Sequence, residues 1–221
     1  MTNVPCHWRG REIGKDVISL DRRKIAAGIC IAAGIVLLAV PFCYHFEGKS
    51  ETDRLTQQFE QTMEEKQDEE TKQAEEDTEA AISEEEAALF AEGDVIAILE
   101  ILALDIRYPV VEGCASADLK YAIGHMSETA GIGKPGNCVL AGHNGSRYGT
   151  YFTHLNRIEA GDEVKLLDAS GEVYRYSVTD SFVVGPYDNT IKEQGKETEL
   201  TLFTCAERGT KRFVVKCEPM E

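Results

Sequence analysis

The sequence predicts a small all-β domain, of barrel or sandwich type, preceded by one membrane-spanning helix. From Gly93 onward, about eight short apolar runs alternate with turn residues, which is typical of strands. Residues 25–46 are apolar and carry no charged side chain. Between these two parts, residues 47–92 hold seventeen acidic against four basic side chains. The chain therefore divides into a tail (1–24), a span (25–46), an acidic segment (47–92) and a folded domain (93–221).

The apolar segment 25–46 predicts a retained membrane anchor. Its 22 residues match the roughly 20 that cross a hydrocarbon core as an α-helix. A cleavable signal peptide is the alternative, but the run begins late and no small-x-small cleavage site closes it. Basic residues 22–24 directly precede the span and acidic residues follow it. The positive-inside rule therefore places residues 1–24 in the cytoplasm and the folded domain outside the cell membrane.

The acidic segment 47–92 predicts an extended, partly helical stalk that holds the folded domain away from the bilayer. It accounts for −13 of the formal net charge of −16, and good helix formers dominate it. An apolar stripe is present only early, at Leu55, Phe59 and Met63. A coiled-coil dimer and a disordered segment stay open as alternatives. Because the folded domain has no basic cluster, we expect no nucleic-acid partner.

The strand predictions follow the chain in order and leave room for short helices. The runs that predict strands are 95–101, 108–111, 138–141, 163–167, 173–178 with 181–184 as its extension, 200–205 and 212–217. Residues 116–123 predict a short helix capped by Ser116, and residues 151–155 predict a helical turn. About 129 residues suffice for one core, and closure into a barrel would remove exposed sheet edges.

The seven cysteines form no C-x-x-C pair and no Cys/His cluster at metal-ligand spacing. We therefore expect no metal and no cofactor. An extracellular location permits disulfides, but the spacing of Cys114, Cys138 and Cys217 specifies no pairing. The simpler interpretation is that these three are small thiols in an apolar core. Cys205 differs because of its neighbours.

Three residues at strand boundaries indicate thiol-based acyl transfer. Cys205 ends the run Thr-Leu-Phe-Thr-Cys, His143 follows an apolar run that ends in Gly142, and Arg212 begins the next run. The thiolate is the nucleophilic form of cysteine, and a neighbouring imidazolium stabilises it and can protonate a leaving amine. A guanidinium keeps its charge and can donate hydrogen bonds to a developing oxyanion.

Each of these side chains alone would more often be an ordinary core or surface residue. Arg208 competes with Arg212 for the cationic role, although it lies in the predicted turn. His125 and His154 compete with His143 for the role of base. No single residue decides between these candidates; only the ordered set of motifs, taken together, favours His143, Cys205 and Arg212.

That ordered set resembles the sortase family of Gram-positive membrane transpeptidases. The resemblance covers residues 93–221. Its motifs are the approach Gly136-Asn137-Cys138-Val139-Leu140-Ala141-Gly142-His143, then Phe152-x-x-Leu155, Gly161-Asp162, Tyr174-x-Tyr176-x-Val178, Val184-x-Pro186, and Thr-Leu-x-Thr-Cys with a downstream Arg. The resemblance implies a closed eight-stranded β-barrel.

The resemblance also implies a role for each site residue and a class of substrate. Cys205 would be the nucleophile, His143 the general acid/base, and Arg212 the residue that positions the substrate and binds the oxyanion. Thr204 would line the substrate groove. Such an enzyme cleaves a Leu-Pro-x-Thr-Gly-like sorting signal between Thr and Gly. It passes the secreted protein, through a thioacyl enzyme, to an amine of a peptidoglycan precursor of lipid II type.

Departures from the family pattern bear on the choice among relatives. Leu102-Ala103-Leu104 replaces the usual proline after the first strand, and no Asp-Pro-aromatic lid precedes the barrel. The missing lid, with a chain that ends at Glu221, favours cell-wall attachment over pilin polymerisation. A pilin-polymerising sortase and a catalytically inactive, stalked extracellular binding module remain the alternatives. The sortase class, calcium dependence and oligomeric state stay open.

Overall fold

The structure, a computed structural model, describes residues 22–73, 90–115, 118–145 and 148–220. It contains one long helix, α1 (Arg22–Gln73). Eight strands follow: β1 Val95–Ile101, β2 Ile106–Glu112, β3 Ile123–His125, β4 Gly136–Gly142, β5 Glu163–Asp168, β6 Val173–Val184, β7 Thr198–Ala206 and β8 Lys211–Pro219.

The eight strands form a closed barrel in the order β1-β2-β3-β4-β7-β8-β6-β5, with β5 paired to β1. The prediction of a closed eight-stranded barrel is confirmed. Most neighbours are antiparallel, but β2 with β3 and β4 with β7 are parallel. The β4–β7 pair positions the site, because the carboxyl ends of two parallel strands lie at the same edge of the sheet.

The core fills the barrel interior with the inward-facing residues of each strand. In β8, Val215 and Cys217 are buried in the core and Phe213 packs against it, as strand alternation predicts. Val214 on the opposite face is also buried. The largest fully buried side chains include Tyr151, Phe152, Tyr176, Leu140, Leu200 and Leu202.

The two predicted short helical segments differ from the structure in different ways. In the described part of 116–123, a single 3-10 turn, Asp118–Lys120, is followed by strand β3, while Ser116 lies outside the described residues. The strand forms because Ile123 pairs with β2 while Gly124 and His125 pair with both β2 and β4, and barrel closure outweighs weak local helix preference. At 151–155 the chain forms hydrogen-bonded turns that lead into the 3-10 turn Leu155–Arg157, so the predicted helical turn is present and continues past its expected end.

The first compact unit, Met1–Val40, is helical from Arg22 onward. The described residues include one helix long and apolar enough to cross a membrane, with an 18-residue window of mean hydropathy 2.5 within Lys24–Glu64. Its apolar side chains are exposed in the structure. The expected span, residues 25–46, lies within this longer helix, and its bounds stay a prediction.

In the second compact unit, Pro41–Glu221, the helix packs along the barrel. Phe59 is only 7% exposed, and Leu55, Phe59 and Met63 line one groove beside β1. Thr52 Oγ1 donates a hydrogen bond of 2.9 Å to the carbonyl of Tyr121. The early apolar stripe therefore faces the barrel, because residues four apart share one helix face. This first part of the acidic segment differs from the expected stalk; residues 74–89 lie outside the described residues.

The same helix also touches the loop that leaves β4. The ring of Tyr44 meets the ring of Tyr148 edge-on at 5.8 Å, and Lys120 Nζ lies 4.5 Å above the Tyr148 ring. A Cβ at Gly48 would come within 1.7 Å of the Tyr148 carbonyl oxygen. Only glycine permits this approach of helix and loop. The helix is thus packed against the segment that follows His143.

Candidate active site

Cys205 lies one residue before the end of β7 and is exposed. Its direct partner across the β7–β8 ladder is Arg212. By contrast, the barrel thiols of Cys138 and Cys217 are each 1% exposed. Burial raises the pKa of Cys138 far above its ordinary range and that of Cys217 to about 12. Of these three thiols, only Cys205 is accessible to a substrate.

The turn after Cys205 has a strained backbone. Glu207 and Arg208 have φ values of 46° and 57°, and Gly209 has 90°. Two consecutive non-glycine residues in the left-handed region are costly and persist only where the surrounding structure holds them. The turn places Arg208 and Gly209, together with Asn144 and Cys205, around a polar hollow of about 360 Å³.

His143 follows directly on β4 and its backbone is held in place. Its carbonyl accepts a 3.0 Å hydrogen bond from the Phe152 N–H. A Cβ at Gly142 would meet the Phe152 ring at 2.5 Å and Ile123 at 2.8 Å, so glycine lets the ring pack close before the histidine. The imidazole is partly exposed and meets the Tyr151 ring edge-on, with centroids 6.1 Å apart.

Tyr151 forms the rigid wall beside His143. It is fully buried, has a φ of 42°, and stacks at 4.8 Å on Tyr108. Burial raises its pKa well above the ordinary value, so the hydroxyl stays protonated and donates to the Lys120 carbonyl. The imidazole therefore rests on a side chain that cannot easily move.

The register of the β4–β7 pair brings the histidine and the cysteine together. Gly142 pairs with Thr204, so His143 and Cys205 are the next residues of two parallel neighbours. Thr204, expected to line the substrate groove, is 2% exposed and donates a 2.7 Å hydrogen bond to the Gly142 carbonyl. In the structure Thr204 joins the two strand ends, and its contact with substrate stays a prediction.

Arg212 lies beside the thiol on the neighbouring strand. Its Nη1 donates to the carbonyls of Gly209 at 3.0 Å and Lys211 at 2.9 Å, so the guanidinium braces the strained turn. Those two bonds use one of the three guanidinium nitrogens, and a guanidinium carries five N–H donors. Arg208 lines the hollow from the turn itself. Both arginines that the sequence left in competition therefore lie near the thiol.

The competing histidines have other positions. His125 is 4% exposed in β3, with Nδ1 2.8 Å from the Glu112 carboxylate and Nε2 3.0 Å from the Ala130 carbonyl. Both of its ring nitrogens are occupied within the fold. His154 precedes the 3-10 turn Leu155–Arg157. His143 alone of the three follows β4 at the β4–β7 edge. Among the described residues, no group of three or more His, Cys, Asp or Glu could hold a metal ion.

A model of the sortase domain matches residues 99–220, more than half of the chain. The chain belongs to the sortase family. Sortase A of Bacillus anthracis is 28% identical over 194 residues, covering 87% of this chain and 91% of that protein. Sortase D of Bacillus subtilis (strain 168) is 32% identical over 114 residues, covering 51% of this chain and 55% of that protein.

The solved structures lead to the same family. A sortase D5 transpeptidase of Clostridium perfringens superposes with a TM-score of 0.63 at 26% identity, covering 78% of this chain and 99% of that one. Sortases are cysteine transpeptidases, and this chain is an enzyme of that kind. The matches include sortases named A and D, so they assign no class.

Sequence reasoning did not find one residue of the site. Asn144 Nδ2 donates a 2.7 Å hydrogen bond to the Cys205 carbonyl across 61 positions of the chain. The only signal was its place directly after the histidine, in a Gly-His-Asn-Gly run. Such a run looks like an ordinary turn, because Asn and Gly are common turn residues.

Proposed function

We propose that this sortase is anchored in the membrane by α1, with the barrel outside the cell. We further propose that it cleaves a Leu-Pro-x-Thr-Gly-like sorting signal and joins the secreted protein to an amine of a peptidoglycan precursor. The observation that carries the proposal is the exposed thiol of Cys205, placed by strand register next to His143 and opposite Arg212. Nucleophile, acid/base and cation are the parts that acyl transfer through a thioester needs.

The reaction follows from these positions. The Cys205 thiolate attacks the carbonyl carbon of the signal's Thr, and the oxyanion is met by guanidinium N–H groups of Arg212. The C–N bond to Gly breaks while the His143 imidazolium gives its proton to the leaving amine. The acceptor amine then attacks the thioester and passes a proton to His143. The C–S bond breaks, which restores the thiolate and the imidazolium.

The proposal is tested with the full chain in detergent micelles. It is incubated with a fluorescent Leu-Pro-x-Thr-Gly peptide and a peptidoglycan stem-peptide amine, and the products are identified by mass spectrometry. We expect a peptide joined to the amine in the wild type and in Cys114→Ala. Cys205→Ala should lose more than about a thousandfold in rate while keeping the far-UV circular dichroism of the wild type.

Other products would point to the alternatives. No cleavage of Leu-Pro or Asn-Pro signal libraries by a folded protein would contradict the proposal and support a binding module. A ladder that requires a pilin Lys would identify a pilin-polymerising enzyme. Cleaved peptide without joined product, at saturating amine, would indicate a hydrolase, because water would then resolve the thioacyl enzyme.

A further inference from the structure

The contact between Asn144 and Cys205 lies where the ladder between β4 and β7 ends. The last paired residues are Gly142 and Thr204, and β4 ends at Gly142. Beyond that point β4 has no strand backbone to offer the Cys205 carbonyl. The side-chain amide of Asn144 takes this place at 2.7 Å. It extends the pairing by one hydrogen bond, to the backbone of the nucleophile itself.

This bond determines which way the end of β7 faces. In a strand, the N–H and C=O of one residue point to the same neighbouring strand, so the Cys205 carbonyl that reaches Asn144 points away from β8. Cys205 and Arg212 are therefore opposed as a non-hydrogen-bonded pair, in which the Cα atoms are about 4.5 Å apart rather than about 5.5 Å and the side chains lie closer. Holding the carbonyl thus holds the thiol near the guanidinium.

The same residue is coupled to the histidine by the chain. Asn144 forms an isolated β-bridge with Tyr151, the residue whose ring contacts the imidazole. The carbonyl of His143 is held by Phe152. His143 therefore lies in a backbone segment that is hydrogen-bonded to residues 151–152 on one side. On the other side, the side-chain amide of Asn144 bonds this segment to Cys205. Two bonds, from Thr204 and Asn144, span the gap between the two strand ends.

We propose that Asn144 is a positioning residue of transpeptidation, whose side-chain amide holds the Cys205 backbone and so sets the relative placement of thiol, imidazole and guanidinium. The inference rests on the proposed function of the site. Asn144 is exposed, so its amide contributes to geometry without burying apolar surface. Removing the amide loosens the catalytic groups and leaves the barrel core unchanged.

The test compares three variants of the full chain in detergent micelles. Asn144→Ala removes the amide, and Asn144→Asp keeps the shape but places a carboxylate oxygen against the carbonyl oxygen. Asn144→Gln keeps an amide on a longer stem. Asn189→Asp is the matched control, because Asn189 is exposed and its side chain makes no capping hydrogen bond.

With the sorting-signal peptide and stem-peptide amine, we expect kcat to fall about ten- to a hundredfold in Asn144→Ala and Asn144→Asp. KM should stay within about twofold, since the amide acts on the enzyme's own backbone. Asn144→Gln should recover at least part of kcat, and Asn189→Asp should match the wild type. Unchanged kcat in Asn144→Ala would overturn the proposal, as would a rise in KM alone, which would make Asn144 a substrate contact.

A second readout needs no sorting signal and separates this inference from the proposed function. Iodoacetamide alkylates accessible thiols, and mass spectrometry of the digested protein gives the ratio of the Cys205 rate to that of Cys114, a partly exposed reference thiol. A cation held close to a thiol raises its reactivity, so this ratio reports how closely the guanidinium is held to Cys205. We expect that ratio to fall in Asn144→Ala and Asn144→Asp and to return in Asn144→Gln. A ratio equal to the wild type in all three would overturn the positioning role. Failure of peptide cleavage by the wild type, with the ratio still changed, would reject only the proposed function.

Discussion

The packing of α1 on the barrel makes a strong prediction for Phe59→Ala. Phe59 is 7% exposed on the helix face that meets β1, and truncating a buried Phe costs about 3–5 kcal/mol. The groove beside it is open and has a volume of about 220 Å³, so neighbours and water fill part of the vacated space. We therefore expect a loss near the lower bound, about 3 kcal/mol in the free energy of unfolding.

The assay is thermal unfolding of the fragment 41–221, which is the second compact unit, followed by circular dichroism at a β-sheet wavelength. For a unit of this size, 1 kcal/mol moves Tm by about 2–4 °C, so Phe59→Ala should melt about 6–12 °C below the wild type. Tyr187→Ala is the control, because Tyr187 is 92% exposed and should change stability by less than about 0.5 kcal/mol.

Equal melting of Phe59→Ala, Tyr187→Ala and the wild type would refute the reasoning. The helix would then not stabilise the barrel, and the acidic segment would behave as the free stalk that composition alone predicts. A fall in Tm for Phe59→Ala alone would make residues 41–63 part of the catalytic domain. Activity assays on fragments that begin at residue 93 would then start from a destabilised barrel.

Two further predictions concern the strand ends and the buried thiols. Thr204→Val removes the hydroxyl bonded to the Gly142 carbonyl. It should lower the free energy of unfolding, measured by urea titration, by about 1–2 kcal/mol, and it should also lower kcat/KM. Thr204→Ser should preserve stability and activity, and equal losses in the two variants would contradict the role of that bond. Because burial raises the pKa of Cys217 from 9.0 to about 12, the unfolded thiol ionises first as pH rises, so the contribution of this thiol to stability is complete below pH 9 and is lost between pH 9 and 12 by up to about 1.4 kcal/mol per pH unit. Cys217→Ala should make the loss of stability with pH shallower in urea titrations, while the buried Cys138 thiol keeps its own contribution, and an unchanged slope would contradict the assignment.

The strands and the motif residues were predictable because their causes are local. Alternation in β8 indicates which residues face the core, and turn residues separate each strand from the next. The ends of β4 and β7 could be placed beside His143 and Cys205 because each of these residues comes at the end of an apolar run. The proximity of Cys205 and Arg212 needed only a hairpin, in which sequence neighbours become spatial neighbours.

Features that depend on distant parts of the chain could not be predicted. Residues 123–125 form a strand because β2 and β4 hold them, and no local pattern contains that information. Thr204 is buried because its hydroxyl bonds to a carbonyl on β4, 62 positions away, and its contact with substrate stays a prediction. The hydrogen bond from Asn144 likewise spans the β4–β7 edge. Parallel pairing of these strands depends on the closed barrel order.

The sequence by itself determined the apolar segment, the all-β class of the folded domain and the identity of a thiol, an imidazole and a guanidinium at strand boundaries. These follow from the hydrophobic periodicity, the charge and the chemistry of the side chains, which are all properties of short stretches of sequence. Only the tertiary structure decided that the acidic segment begins as a helix packed on the barrel and that the Asn144 amide bonds to the Cys205 carbonyl. Both depend on which surfaces meet after the chain closes, since a contact between distant residues exists only once the fold brings their strands together.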